Sequence, residues 1–450
     1  RRVTPVVSPG WLKHQIPSEA PLEPESFDDI LKDVEEKIMP GVTHWQHPRF
    51  HAYFPSGASF PAIMADILSD GIGCIGFSWA ASPACTELES IVMDWYGKAI
   101  GLPYEFLANP AFKNTNQIEN VRYCLQGSTS EIVLTTMISA RAHAIKNLKA
   151  QHPFIDEGVL LSKLIAYCSR EAHSCVEKGA MMAFVKLKIV EPDEHNSLRG
   201  AALREVMMQD QAMGMIPFYV AATLGTTSVC SFDNVEEIGL VCREFPTVWL
   251  HIDAAYAGAA FVCPEFRSYL KGVQFADSIS TNTNKWLLTC FDCSCLWVKN
   301  RYKLTSALVG AIDYRHWQIP LSRRFRSLKL WFLAKRFEKL VLADSRFEIS
   351  NEVKLGLVCF RLVGNHGMTI EAVNKMNQKL LEAINDSGKL HMVPSKVNDK
   401  FIIRFCVVAH DQTQDDIGKP SKNKEVKFYL ILSLCPRFYE FLPKAIGVPS

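Results

Sequence analysis

The 450-residue sequence predicts an α/β fold: a mostly parallel sheet with helices on both faces, followed by a smaller C-terminal α/β module. Apolar, strand-like runs stand at 164–168, 216–224 and 248–252, with another near Cys295. Helical stretches separate the first of these. Residues able to do chemistry follow three of the strand ends: Glu171-Ala172-His173-Ser174, Gly225-Thr226-Thr227, and Asp253-Ala254-Ala255-Tyr256. Open α/β sheets place ligands beyond the carboxyl ends of their strands, so this recurrence points to one shared site.

From the N-terminus, Ser26-Phe27-Asp28-Asp29 opens a helix with Ser26 as cap. Ile30, Val34 and Ile38 recur at helical spacing, and Pro40-Gly41 ends it. An aromatic segment, 45–60, is centred on Tyr53-Phe54-Pro55. Its spacing favours a packed loop over a wall for an aromatic ligand. A helix is predicted over 83–97, and 109–121 is polar, Asn-rich and without period. Gln126-Gly127-Ser128-Thr129-Ser130-Glu131 opens a long helix to about 149, with Ser128 and Glu131 as a capping box. Such an N-terminus offers free N–H groups and a positive dipole end, which suit a phosphate as well as a simple cap. Beyond Trp317, Arg323-Arg324-Phe325-Arg326 leads into a helix, and 356–360 and 401–405 read as strands of the C-terminal module.

Bulk properties exclude several classes. Lys+Arg is 49 against Asp+Glu 47, so nothing electrostatic points to nucleic acid or an anionic membrane. The apolar run 428–435 is too short to span a bilayer. Residues 1–15 lack the apolar core of a secretory signal, and the first methionine is Met39, so a complete translation product is not expected. The 14 cysteines follow no disulfide framework, which fits a reducing, cytoplasmic setting. Cys290, Cys293 and Cys295 sit in an alternating strand without a second ligand pair, and no metal is expected.

The chemistry centres on Lys285, in Asn282-Thr283-Asn284-Lys285-Trp286-Leu287, and on Asp253, at the end of an apolar strand. Alone, Lys285 reads as a surface lysine and Asp253 as a helix cap. Together they suggest a pyridoxal 5'-phosphate site. Lys285 would form a Schiff base with the aldehyde. Asp253 would raise the pKa of the ring nitrogen by favouring its charged form. His173 reads either as a structural histidine or as a group acting on the cofactor or a substrate carboxylate.

The chain resembles the group II pyridoxal-dependent amino-acid decarboxylases, in their aromatic-L-amino-acid branch. Pro40-Gly41-Val42-Thr43-His44-Trp45, Ser82-Pro83-Ala84-Cys85-Thr86-Glu87-Leu88-Glu89, Asp253-Ala254-Ala255-Tyr256-Ala257-Gly258 and Tyr314-Arg315-His316-Trp317 carry the resemblance, which runs to about Val408. The segments 166–173 and 284–289 look most like invertebrate tyrosine decarboxylases, which make tyramine; DOPA and histidine decarboxylases are close neighbours. The resemblance implies the aspartate aminotransferase-like fold (fold type I). It implies an N-terminal segment over 1–60, a large cofactor-binding domain over 61–316, a small domain over 317–408 and an atypical tail over 409–450. By the same resemblance Lys285 holds the cofactor, Asp253 meets its ring nitrogen, and His173 and Ala255 cover its two faces. Thr129, Ser130 and Asn282 hold the phosphate, and Thr227 lines the ring. Tyr53, Phe54, Pro55 and Ser56 form a substrate wall, Ile75 and Phe77 enter the pocket of the partner subunit in a homodimer, and Ser322 borders the substrate.

Four departures accompany the resemblance. Glu119-Asn120-Val121-Arg122-Tyr123 replaces a Gly-rich turn. Ser306-Ala307-Leu308-Val309 runs directly into Gly310, where the family has a mobile loop whose tyrosine returns a proton to the α-carbon. A helical segment is missing after Phe332, and the sequence is unlike the family after about Ala409. Asn284 also stands where many relatives have His. An aldehyde-forming oxidative reaction or a catalytically impaired product are therefore the alternatives to decarboxylation.

Overall fold

The computed structural model describes residues 2–54, 56–107, 123–305, 307, 319–320, 322–332, 357–361, 368–387, 391–397 and 399–406. Pro55, the polar stretch 109–121, the junction at 309–310, the motif at 314–317 and the tail from 409 lie outside them. Two compact units emerge: residues 1–55 with 356–450, and residues 56–355.

The larger unit is built on a seven-stranded sheet. Its strands are β1 (Tyr123–Gln126), β2 (Leu164–Ser169), β3 (Lys186–Val190), β4 (Ile216–Thr223), β5 (Trp249–Ala254), β6 (Ser278–Asn282) and β7 (Ser294–Val298), in the spatial order β1-β7-β6-β5-β4-β2-β3. Pairings from β3 through β2, β4 and β5 to β6 are parallel, and only β7 runs the other way. The run near Cys295, expected to alternate, is β7, and all of its residues are buried. Every residue of β2 and β5 is buried too. Strands covered on both faces read as unbroken apolar runs, which is why 164–168 and 248–252 were conspicuous. β1, β3 and β6 were not expected. β6 is Ser278-Ile279-Ser280-Thr281-Asn282, too polar to announce a buried strand.

Helix α4 (Thr129–Gln151) covers one face. Ser128 Oγ accepts from the Glu131 N–H at 3.2 Å, while the Glu131 carboxylate bonds the Gly127 N–H at 3.1 Å, one residue before the expected return of the capping box. α4 packs against α5 (Glu157–Lys163), α6 (Cys175–Met182) and α10 (Arg301–Thr305), while α7 (Gly200–Ala212) and α8 (Val235–Glu244) pack on β3, β4 and β5. Before the sheet come α2 (Phe60–Ile72) and α3 (Pro83–Ala99). Trp297 of β7 is fully buried against α3, and its indole N–H donates to the Met93 carbonyl at 3.2 Å. An unmade bond there would carry a desolvation cost of about 1–3 kcal/mol. A buried ion pair between Glu89 of α3 and Arg323 fastens the segment 322–332 to this unit.

In the smaller unit, α1 (Phe27–Asp33) is capped by Ser26, whose Oγ accepts from the Asp29 N–H at 3.2 Å and donates to the Asp29 carboxylate at 2.6 Å. Strands β8 (Leu357–Phe360), β9 (Val393–Val397) and β10 (Lys400–Cys406) form an antiparallel sheet in the order β8-β10-β9. Helix α11 (Ile370–Asp386) packs on it, burying Val373, Asn377, Leu380, Leu381 and Ile384 at helical spacing.

Candidate active site

Chain direction places the site. β1, β2, β4, β5 and β6 all point the same way, so the turns after them meet at one edge of the sheet. α4 starts right after β1, which brings its N-terminus to that edge. The hydroxyl of Thr136 on α4 meets the Tyr219 hydroxyl at 3.0 Å. Tyr219 pairs with Trp249, and Thr223 with Asp253, so Asp253 lies at the carboxyl end of the face that α4 covers.

Asp253 is 4% exposed, and its Oδ1 accepts the Ala255 N–H at 2.9 Å, which fixes the turn after β5. Lys285, half-buried, sits on the short helix α9 (Thr283–Trp286), capped by Asn282, whose Oδ1 accepts the Asn284 N–H at 3.1 Å. Two contacts tie α9 to the Asp253 turn. The Asn282 N–H donates to the Ala255 carbonyl at 3.1 Å, and Tyr256 stacks on Trp286 with ring centroids 5.2 Å apart. Gly258 permits this closeness: a Cβ there would stand 2.3 Å from the Thr281 Cγ2.

His173 follows β2. Its Nδ1 accepts the Cys175 N–H at 3.1 Å, so the neutral ring carries its hydrogen on Nε2. His173 is exposed, yet hydration lost to its packed neighbours pushes its pKa below the ordinary value, with Asp253 opposing and Lys285 adding. His173, Asp253 and Lys285 therefore act on one another electrostatically. Cys175 shares that field: burial first, then Asp253, pushes its thiol up to about 12. His251, on β5 one pleat below Asp253, is fully buried and pushed down to about 4 by burial. Its Nδ1 lies 2.8 Å from the Ser278 hydroxyl, and it is neutral.

The other expected residues fall as follows. Ala255 is buried, Thr227 half-buried on the loop after β4, and Thr129 and Ser130 open α4. Asn282 spends its Oδ1 on capping α9. Ser56 is half-buried beside Gly57, whose N–H donates to the Asn284 carbonyl at 2.7 Å. Ile75 is exposed, Phe77 half-buried and Ser322 exposed. Tyr53 and Phe54 belong to the smaller unit. There Tyr53 stacks on Trp45 at 5.2 Å, and the Arg404 guanidinium lies 4.8 Å from the Phe54 ring centroid. The packed aromatic loop favoured by the spacing is what this unit contains. The sequence alone assigns no role to Glu171, Cys175 or Ser228. Glu171 stood in the segment quoted around His173, but nothing in its spacing marks a carboxylate that turns inward.

The conserved domain of pyridoxal-dependent decarboxylases matches residues 9–337. The chain belongs to the pyridoxal-dependent decarboxylase family. It is 50% identical over 442 residues to the aromatic-L-amino-acid decarboxylase of Mus musculus, spanning 91% of this chain and 89% of that one. To the enzyme of the same name from Drosophila melanogaster it is 46% identical over 448 residues, spanning 93% and 84%. Among solved structures, Catharanthus roseus tryptophan decarboxylase in complex with L-tryptophan matches with a TM-score of 0.81 at 34% identity, over 99% of this chain and 93% of that one. Rhodiola rosea 4-hydroxyphenylacetaldehyde synthase matches at 0.82 and 36% identity, over 99% and 94%.

The family's cofactor is pyridoxal phosphate, and the residues present fit it. The Thr129 hydroxyl is buried at the start of α4 without a hydrogen-bond partner. A buried, unpaired hydroxyl beside free helix N–H groups suits a phosphate oxygen.

Proposed function

We propose that this pyridoxal-dependent decarboxylase removes carbon dioxide from an aromatic L-amino acid, with tyrosine preferred and tyramine the product, as a cytoplasmic homodimer. The observation that carries the reading is the meeting of Lys285, Asp253 and His173 at one sheet edge with the N-terminus of α4. Relatives named aromatic-L-amino-acid decarboxylase support the substrate class. The preference for tyrosine rests on the segments 166–173 and 284–289.

When bound, pyridoxal phosphate supplies the electron sink for the bond to carbon dioxide. The roles of the chain's own residues follow from their surroundings. The Lys285 amine would anchor the aldehyde, and the Asp253 carboxylate would keep a proton on the ring nitrogen. Neutral His173, held by the Cys175 N–H, would offer its Nε2–H and its flat face without adding positive charge. Thr129, Ser130 and the N–H groups of α4 would take the phosphate, with Thr227, Ala255 and Asn282 around it. Substrate roles for Tyr53, Phe54, Pro55, Ser56, Ile75, Phe77 and Ser322 rest on the family resemblance.

The homodimer has support in α2. Phe60 is 79% exposed and Ile67 66%, and exposed Ile63 and Met64 lie on the same helical stripe. An apolar stripe of this kind is what a self-complementary interface covers.

A second reading is aldehyde synthesis, in which oxygen and water are consumed and carbon dioxide, ammonia and hydrogen peroxide are released. The direct junction at 309–310, without the tyrosine-bearing loop, favours it, as does the likeness to the Rhodiola rosea enzyme. Mass spectrometry of products from cofactor-supplemented protein given tyrosine in air separates the two. Tyramine supports decarboxylation, 4-hydroxyphenylacetaldehyde supports the second reading, and equal turnover by Lys285→Ala would overturn both.

A further inference from the structure

The turn after β2 carries His173, and the loop after β4 carries Thr227; β2 and β4 are parallel neighbours. The base of the β4 loop is clasped. The Gly225 and Thr226 N–H groups donate to the Ser231 carbonyl at 2.9 and 3.0 Å, and the Thr226 and Ser231 hydroxyls meet at 2.8 Å. Asp233 closes the clasp with a carboxylate that accepts the Thr223 N–H at 2.7 Å. Thr227-Ser228-Val229 form the tip beyond this clasp, all half-buried.

A side-chain bond joins that tip to the β2 turn: the Ser228 hydroxyl donates to the Glu171 carboxylate. Glu171 is 8% exposed, and its own N–H donates to the Ser169 hydroxyl at 3.2 Å, which fixes it to the end of β2. Burying a carboxylate is costly, and an apolar residue would fill the same space more cheaply. The bond links the neighbour of Thr227 to a residue two positions before His173. The two groups that face the cofactor from adjacent strands are therefore coupled through it.

We infer that Glu171 and Ser228 form a positioning latch, holding the His173 turn and the Thr227 loop in register around the cofactor. The inference rests on the proposed use of that pocket for pyridoxal phosphate. Neither residue touches reacting atoms; both act through the groups beside them.

The test measures the pyridoxal phosphate dissociation constant of cofactor-free protein by fluorescence titration, alongside its melting temperature. Ser228→Ala and Glu171→Leu should each weaken binding about tenfold, which corresponds to about 1.4 kcal/mol. Glu171→Gln and Ser228→Thr, which keep the acceptor and the donor, should stay within about threefold, since a neutral hydrogen bond is roughly half as strong as a charge-assisted one. The double variant E171L/S228A should be no weaker than the worse single variant. A purely structural role would lower the melting temperature and leave the dissociation constant unchanged, and that result would overturn the latch. Additive losses in the double variant would overturn it as well. Wild-type protein that binds pyridoxal phosphate but releases no carbon dioxide from aromatic amino acids would sink the proposed reaction and leave the latch standing. Wild-type protein that does not bind it at all would overturn both.

Discussion

Asp233 gives a stability test with a definite sign. Its carboxylate is 3% exposed and accepts two backbone N–H groups, from Thr223 at 2.7 Å and Leu198 at 2.8 Å. Burial pushes its pKa up from 3.8 to about 7; the two N–H groups pull against this, while Asp193 and Glu171 add to it. Over that interval the folded state keeps a proton that the unfolded chain has lost. Stability from this group is therefore fully present below about pH 4, falls as pH rises, and is flat above about pH 7. A shift of about three units corresponds to at most about 4 kcal/mol, of which about 2–3 kcal/mol is lost between pH 5 and pH 7.

Asp233→Asn removes the titration. Its carbonyl oxygen can satisfy one N–H, but its NH2 faces the other, a cost of about 1–3 kcal/mol at every pH. Below about pH 4 the variant should be less stable than wild type by about that amount, and by pH 5 wild type has already lost about 1–2 kcal/mol, so the gap there is smaller. By pH 7.5 the gap should shrink by about 2–3 kcal/mol, and it should close or reverse. Urea denaturation of cofactor-free protein, followed by tryptophan fluorescence from pH 5 to pH 8, reads both curves. Parallel curves would mean that Asp233 does not titrate in this window. A gap that widens with pH would mean that the two N–H groups outweigh burial, reversing the sign of the argument.

Two further outcomes follow from the same structure. Thr129→Val deletes the unpaired buried hydroxyl at the start of α4, so the cofactor-free protein should melt no lower than wild type while its pyridoxal phosphate affinity falls about tenfold or more, the worth of a hydrogen bond to a charged group; a lower melting temperature with unchanged affinity would remove Thr129 from the phosphate site. Phe60→Glu with Ile67→Glu puts charge on the exposed stripe of α2; if the proposed homodimer forms through it, sedimentation equilibrium should show a dimeric wild type and a monomeric variant, whereas equal masses would remove α2 from any dimer contact.

The legibility of the fold tracked burial pattern. β2, β4 and β5 are covered on both faces and showed as apolar runs, and their parallel order followed from the helices between them. β6 escaped because its serines bond neighbouring side chains instead of packing as apolar surface: Ser278 accepts from the Trp249 indole at 2.7 Å. β1 escaped because its described residues number only four and pair with β7, an antiparallel neighbour far along the chain. In the candidate site, Asp253 stood out because it ends an apolar run, and Lys285 because it follows that carboxylate by one structural unit. Glu171 and Ser228 were not, since a carboxylate and a hydroxyl in turns look the same in sequence whether they face water or each other.

The site also explains why the sheet interior is so polar near its carboxyl edge. Thr223 and Thr129 both hold buried hydroxyls without hydrogen-bond partners, and Asp233 is kept at a pKa of about 7. Each feature lowers stability by an amount that an apolar residue would avoid. Thr129 opens α4, and Thr223 and Asp233 stand at and just beyond the end of β4, on the edge where the candidate site lies, while Tyr167, Thr135 and Asp210 hold buried polar atoms without partners farther from it. Of these groups the Thr129 hydroxyl stands beside the N–H groups that open α4, where a phosphate oxygen would supply the partner it lacks.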